Sequence, residues 1–198
     1  MEAYDAEAEE YCKRTLNLAD RSYQKMILDK TLDMFSDPPR ILDIGCGDGR
    51  DTCYLRSKGA DTVGIDLSKE MIKIALERYP QDHFLRMDMR DMGFRDESFD
   101  CLWASASLIH IPSSQLNHLV REMHRVLAPE GLVALSFKVG NKEGFEYGES
   151  MIDKPRYVVY HTKESIEEAF EGFEMVDMVE YPRKILGSYF AYCWLKKS

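Results

Sequence analysis

The stretch that decides the fold is Arg40-Ile41-Leu42-Asp43-Ile44-Gly45-Cys46-Gly47-Asp48-Gly49-Arg50-Asp51-Thr52. Ile41, Leu42 and Ile44 make a short apolar run of the kind that fills a buried strand. Three alternating glycines, Gly45, Gly47 and Gly49, end that run, and a helix is expected from Arg50 onward. Glycines at a strand-to-helix turn let the backbone approach a ligand closely, because no Cβ stands in the way. The helix that starts there offers free N–H groups and a positive dipole end to an anionic group.

The order of the glycines separates two readings. A dinucleotide fingerprint, Gly-x-Gly-x-x-Gly, beginning at Gly45 would place its third glycine at position 50, which is Arg50. The pattern Asp43-x-Gly45-x-Gly47-x-Gly49 resembles the first motif of the class I S-adenosylmethionine (SAM) dependent methyltransferases. A second run, Trp103-Ala104-Ser105-Ala106-Ser107-Leu108-Ile109-His110-Ile111-Pro112, is similar to the Ala-Ser-x-x-Leu-His-x-Pro pattern of many small-molecule enzymes of that class. With Arg-Val-Leu-x-Pro-x-Gly over Arg125 to Gly131, the resemblance covers Arg40 to about Lys138. It departs at Ala128-Pro129-Glu130-Gly131, where the family usually has Lys-Pro-Gly-Gly; that turn is structural.

Outward from the glycine turn the chain alternates. Asp61 to Asp66 reads as a second strand, and Ser68 as the N-cap of a helix reaching about Arg78. His83 to Asp88 gives a third strand and Phe99 to Ala104 a fourth. Ser113 is expected to cap a helix with the apolar stripe Leu116, Leu119, Val120, Met123 and Leu127. Pro129-Glu130-Gly131 then turns the chain into a fifth strand, Leu132 to Val139. Strands alternating with helices imply a parallel sheet covered on both faces. Phe173 to Glu180 and Ser188 to Leu195 read as two further strands, and Tyr181 to Gly187 between them is too short for a helical crossover, so they should pair antiparallel. The resemblance implies the same: a doubly wound α/β fold, Rossmann-like, with seven strands, mostly parallel and the last antiparallel.

Residues 1–36 read as a helical N-terminal cap, either two amphipathic helices on the sheet edge or a lid with Tyr11 and Arg14 facing the cofactor. Residues 139–161 read as a substrate-side insertion within a single domain spanning 1–198. A net charge of −9 disfavours nucleic acid, whose nonspecific binding depends on neutralising phosphates, and favours a small-molecule acceptor. The five cysteines show no CxxC pair, no stretch resembles a membrane span, and the acidic start argues against a secretory signal. A cytoplasmic monomer or homodimer is expected.

The resemblance implies SAM as cofactor and S-adenosylhomocysteine as product. Asp66 lies 21 residues after Gly45 at a strand end, where a carboxylate can accept both ribose hydroxyls, with Leu67 and Met71 flanking the adenine. The family places an Asp like Asp88 on the adenine amino group, with the backbone N–H of the next residue, Met89, on the ring. Asp43, Gly45, Cys46, Gly47, Gly49, Trp103 and Ala104 complete the expected cofactor site, with Cys46 a small filler rather than a reactive thiol. Arg50 opposes the helix dipole and needs a carboxylate partner, with Asp43, Asp51 and the cofactor as candidates.

Methyl transfer from a sulfonium is an in-line displacement that depends above all on alignment. A general base is needed only where the acceptor loses a proton, and His110, leaving the fourth strand, is the candidate; the alternative is a histidine that bonds the Pro112 turn. His118 and His124, six apart, lack metal-binding spacing. Lys138, Glu149, Arg156 and Tyr160 are expected near the acceptor, where the two cations suggest a carboxylate or phosphate on it; the alternative is a solvated charged insertion. No Asp/Asn-Pro-Pro-Tyr/Phe follows the fourth strand, which argues against base or glutamine amino groups as acceptors, and no Pro-Cys nucleophile serves a cytosine C5 reaction. Rival readings are a non-catalytic SAM-binding sensor or partner subunit, a nicotinamide-dependent oxidoreductase, and a tRNA-directed methyltransferase.

Overall fold

The computed structural model describes residues 2–18, 21–146, 154–181 and 188–198. Helices α1 (Glu2–Leu18) and α2 (Arg21–Leu32) precede strand β1 (Arg40–Ile44) and helix α3 (Arg50–Ser57). Then come β2 (Asp61–Asp66), α4 (Lys69–Arg78), β3 (His83–Arg86) and β4 (Phe99–Ala104). A single 3-10 turn (Leu108–His110) leads to α5 (Ser113–Val126) and β5 (Leu127–Val139). The chain finishes with β6 (Glu143–Glu146), β7 (Arg156–His161), α6 (Lys163–Ala169), β8 (Phe173–Glu180) and β9 (Phe190–Lys197).

Seven of these strands form the expected sheet, in the order β3-β2-β1-β4-β5-β9-β8, with β9 antiparallel to both neighbours. Alternation of side chains divides the core. Ile41, Cys101, Trp103, Leu132, Ala134 and Trp194 face Ile27 and Leu28 of α2 and Leu55 of α3. Leu42, Leu102, Val133, Leu135 and Leu195 face Leu116, Leu119 and Met123 of α5 and Ile166 of α6. Each strand thus buries both faces, and burial of such large apolar side chains is worth roughly 1.5–3 kcal/mol apiece.

The structure departs from the expected plan in four places. Between β5 and α6, β6 and β7 pair antiparallel as a hairpin, giving nine strands among the described residues. β7 pairs with β5 at Lys138 and Val139, the side that β4 leaves free after Ala104. The hairpin therefore stands above the carboxyl end of β4. Secondly, β5 starts at Leu127, and Pro129-Glu130-Gly131 is a bulge within it, Glu130 taking φ 61. Thirdly, β3 stops at Arg86, two residues before Asp88. Lastly, Ser113 opens α5 without capping it; the Glu143 carboxylate from β6 accepts the Ser113 N–H at 3.1 Å and serves that helix end across the fold. Ser68 does cap α4, accepting from the Met71 N–H at 3.2 Å.

The N-terminal helices go to different places. α2 packs on the sheet face through Ile27 and Leu28, with Trp194 Nε1 donating to Thr31 Oγ1 at 2.9 Å. α1 lies across α4, where Ala8 and Cys12 bury against Met71, and it bends at Glu7. The connection at 182–187 lies outside the described residues.

Candidate active site

A cavity of about 410 Å³ opens at the carboxyl ends of β1 to β4 and is roofed by α1. Ligands in open α/β sheets bind at this end, where strand order reverses, here between β1 and β4. One half is built from the glycine turn, Asp66 to Ser68, Met71, and Asp88 to Arg90. The other half comprises Ser105 to Ser107, His110 to Pro112, Phe145 and Pro155 to Tyr157, with Tyr4 and Tyr11 from α1.

The glycine turn works as the sequence requires. Gly45 and Gly47 take φ of 75° and 54°, conformations that L side chains rarely adopt. A Cβ on Gly45 would lie 2.5 Å from Ser107 Cβ, whereas one on Gly47 would meet nothing within 4 Å. Gly45 thus permits a close crossing of two loops, and Gly47 borders open space in the cavity. Asp66 braces this turn: Oδ2 accepts the Gly47 N–H at 3.0 Å and Oδ1 the Ser68 N–H at 2.8 Å. Each oxygen keeps a lone pair for a further donor, which suits two ribose hydroxyls. Burial pushes the Asp66 carboxyl above its ordinary range, with the Ser68 and Gly47 amides opposing that shift.

Asp88 stands on the wall but is engaged. Arg90 donates through its backbone N–H and Nε, both at 2.9 Å to Oδ1, and through Nη2 to Oδ2 at 2.5 Å. Those bonds hold the Asp88 carboxyl below the usual range. An adenine amino group at Asp88 would have to share Oδ2 with Arg90.

Asp43, Cys46, Gly49, Trp103 and Ala104 lie behind the wall rather than on it. Asp43 is buried and accepts from Thr52 Oγ1 at 2.6 Å, tying β1 to α3; burial, then repulsion from Asp51, raises its carboxyl well above the usual range. Cys46 packs with Ile72, Ala75 and Phe84. A Cβ on Gly49 would strike the Phe84 ring at 2.5 Å, so that glycine serves packing. Trp103 points to the opposite face, donating from Nε1 to Asp51 at 3.1 Å, and Ala104 is core. Arg14 pairs with Glu10 at 2.9 Å on the outer side of α1, while Tyr11 faces the cavity as expected. Arg50 hydrogen-bonds neither Asp43 nor Asp51: Asp48 accepts its Nε at 2.6 Å and Thr15 its Nη2 at 2.9 Å, with Arg78 also on Asp48.

On the other half, Arg156 and His110 come together through Tyr4. His110 Nδ1 lies 2.8 Å from the Tyr157 carbonyl, which can only accept, so Nδ1 carries the proton. In the neutral ring Nε2 then accepts, and Tyr4 OH donates to it at 2.8 Å. Arg156 Nη1 in turn donates to the Tyr4 oxygen at 2.8 Å. Burial, opposed by the Tyr157 carbonyl and aided by Arg156, lowers His110 to about 4. His110 is therefore neutral at pH 7 with both nitrogens occupied.

Lys138 and Tyr160, expected at the acceptor, stand apart from the wall. Lys138 donates to Glu146 at 2.8 Å and to Tyr160 OH at 3.3 Å, and Tyr160 OH also donates to Glu146. Burial raises the Glu146 carboxyl, yet bonds from Lys138, Lys142 and Tyr160 bring it down to about 2. The Lys138 charge is spent on the hairpin. Glu149 lies outside the described residues.

Four buried side-chain polar atoms have no partner among the described residues, and two belong to the cavity wall: Arg156 Nε and Ser107 Oγ. Ser107 sits in a turn whose neighbour, Ala106, is held at φ 53 by the bond from its N–H to Ser136 Oγ at 2.8 Å.

A profile described as a methyltransferase domain matches residues 42–135, the segment holding the glycine turn, Asp66, Asp88 and the exit of β4. Over that segment the chain is similar to the class I SAM-dependent methyltransferases. Among the curated relatives, the malonyl-[acyl-carrier protein] O-methyltransferase of Enterobacter lignolyticus is 27% identical over 135 residues, 67% of this chain and 53% of that one. The trans-aconitate 2-methyltransferase of Variovorax paradoxus is 32% identical over 106 residues, 52% of this chain and 40% of that one. The chain spans about half the length, or less, of the curated relatives it matches. In fold it is similar to the Burkholderia thailandensis 1,6-didemethyltoxoflavin-N1-methyltransferase, solved with 1,6-didemethyltoxoflavin and S-adenosylhomocysteine, at a TM-score of 0.77, 20% identity and coverage of 98% and 84%. No helix among the described residues is long and apolar enough to cross a membrane, and none of their His, Cys, Asp and Glu side chains cluster as a metal site.

Proposed function

We propose that this methyltransferase esterifies a small carboxylic acid at the acceptor half of the cavity. The observation that carries the reading is the pair of buried, unpartnered polar atoms on that wall, Arg156 Nε and Ser107 Oγ. A buried donor without a partner costs about 1–3 kcal/mol, a cost that an acceptor oxygen at this wall would relieve. A carboxylate accepts from both a guanidinium and a hydroxyl. The names of the two carboxylate-bearing acceptors, malonyl and trans-aconitate, among the relatives support the same choice.

Asp66 and the Gly45–Gly47 turn would hold the nucleoside and the amino-acid portion of SAM, with Leu67 and Met71 beside the base. When bound, SAM supplies a sulfonium methyl to which the carboxylate oxygen forms a new bond, while the breaking C–S bond leaves its electron pair on sulfur as S-adenosylhomocysteine. Arg156 and Ser107 orient the acceptor. A carboxylate is ionised at pH 7 and has no proton to lose, so no general base is required. His110 fits this: its Nε2 is filled by Tyr4, and it acts as a positioning residue that fixes Tyr4 and the hairpin. Tyr11 and Tyr4 cover the site from α1 and exclude water. The five free cysteines suit a reducing cytoplasm.

The test is transfer of tritiated methyl from SAM to a panel of carboxylic acids and to amines and phenols of matching shape. The expected product releases tritiated methanol in mild base, as methyl esters do. Base-stable label on amines or phenols alone would overturn the reading.

A further inference from the structure

The mouth of the acceptor half has a character of its own. Among the described residues that line it, Arg156 is the cation on that side, beside Pro112, Phe145, Pro155, Tyr157 and the buried Ile111. In a chain that is 31% charged, five uncharged, largely apolar neighbours around one opening form a directed surface. Phe145 and Tyr157 are cross-strand partners in the β6–β7 hairpin, so both side chains share a face, with rings edge-on at 5.3 Å. Tyr157 turns its hydroxyl away, donating to Glu143 at 2.7 Å, and Glu143 is itself fixed on the α5 N-terminus. The ring is thereby held rigid with its apolar face free. Phe145 remains 65% exposed although it lines the cavity. A large aromatic left in water at the lip of a pocket gains apolar contact only when something apolar lies on it.

We infer that the acceptor is an amphipathic monocarboxylic acid whose carboxylate lies at Arg156 and whose alkyl or aryl body leaves the cavity across Phe145 and Tyr157. The inference rests on the carboxylate reading and adds the part of the molecule that this reading leaves open. A short acid would use Arg156 and leave the lip idle. A polyacid would place a second charge on an apolar surface, where desolvation disfavours it.

The test is kcat/KM for methyl esterification of acetate, butyrate, hexanoate and octanoate by the wild-type protein and by Phe145→Ser. Glutarate is measured against pentanoate, of which it is the analogue with a distal charge. The wild type is expected to gain about threefold per added methylene once the tail reaches the lip, and to prefer pentanoate to glutarate by tenfold or more. Phe145→Ser is expected to flatten the chain-length dependence, with S-adenosylhomocysteine titration reporting that the variant is folded. If wild type esterifies all four acids equally, or prefers glutarate, the lip has no such role while the carboxylate reading stands. If the variant keeps the full slope, Phe145 is not the surface concerned. If no acid is esterified although S-adenosylhomocysteine binds, the carboxylate reading falls and this inference falls with it.

Discussion

The two halves of the cavity are made in opposite ways. The half proposed to hold the nucleoside is assembled from short segments that follow β1, β2 and β3, all between Gly45 and Arg90. Its decisive contact, Asp66 to the Gly47 N–H, spans 19 residues. The acceptor half joins pieces from across the chain: Tyr4 to His110 spans 106 residues and Arg156 to Tyr4 spans 152. A cofactor held in common can be read by a local strand-turn-helix unit, whereas the acceptor is read by whatever loops and caps the fold brings over it. The two halves should therefore respond separately to substitution.

The largest effect is expected at Asp66. Two ribose bonds to a carboxylate are worth on the order of 3 kcal/mol together, so Asp66→Ala should weaken SAM by about 100-fold or more in a titration. An unchanged affinity would dissolve the distinction between the halves. A comparable effect, in stability, is expected from His110. The ring is neutral in the fold and titrates at about 4, while the unfolded chain takes up the proton near pH 6.5. The unfolded state thus binds more protons between pH 6.5 and 4, and native stability falls through that window as pH drops. Denaturant melts should show the wild type losing up to about 3 kcal/mol more than His110→Gln across it. Equal losses would mean that the ring is not held neutral.

Arg156 should show the converse of Asp66. Arg156→Gln is expected to raise KM for a carboxylic acid about 30-fold, the loss of one charge-assisted bond of roughly 2 kcal/mol, with SAM affinity retained. Equal damage to both ligands would show one coupled site. Smaller still is Tyr4→Phe. It keeps the ring against Tyr11 and His110 but frees Arg156 and His110, so acceptor KM should rise about fivefold. A change in SAM affinity alone would place Tyr4 in the wrong half.

How much was legible in the sequence follows from the same contrast. That Asp66, Leu67, Met71 and the glycines at 45 and 47 share one wall could be read because apolar strand, glycine spacing and carboxylate fall within one short unit. The seven main strands and the antiparallel end could be read for a similar reason, from apolar runs and the length of one connection. The β6–β7 hairpin could not, since Glu143–Glu146 contains Glu, Gly and one Phe, with no alternation to mark a strand. Lys138 and Arg156 look equivalent in sequence; only the fold shows Glu146 beside the first and open cavity beside the second. Tyr4 and Ser107 fell within a helical face and a motif that could be read, but the residues they meet lie far off in the chain. Asp88 could be placed at a strand end, but its engagement with Arg90 required geometry.

The claim that the acceptor half holds an anion and moves no proton is tested most directly by the turnover of His110→Gln on a carboxylic acid. The glutamine amide can donate to the Tyr157 carbonyl and accept from Tyr4, so it preserves the positioning while removing the basic nitrogen. The account predicts kcat within about tenfold of wild type. A fall of 100-fold or more, the range expected for loss of a general base, with the variant still binding S-adenosylhomocysteine, would contradict it.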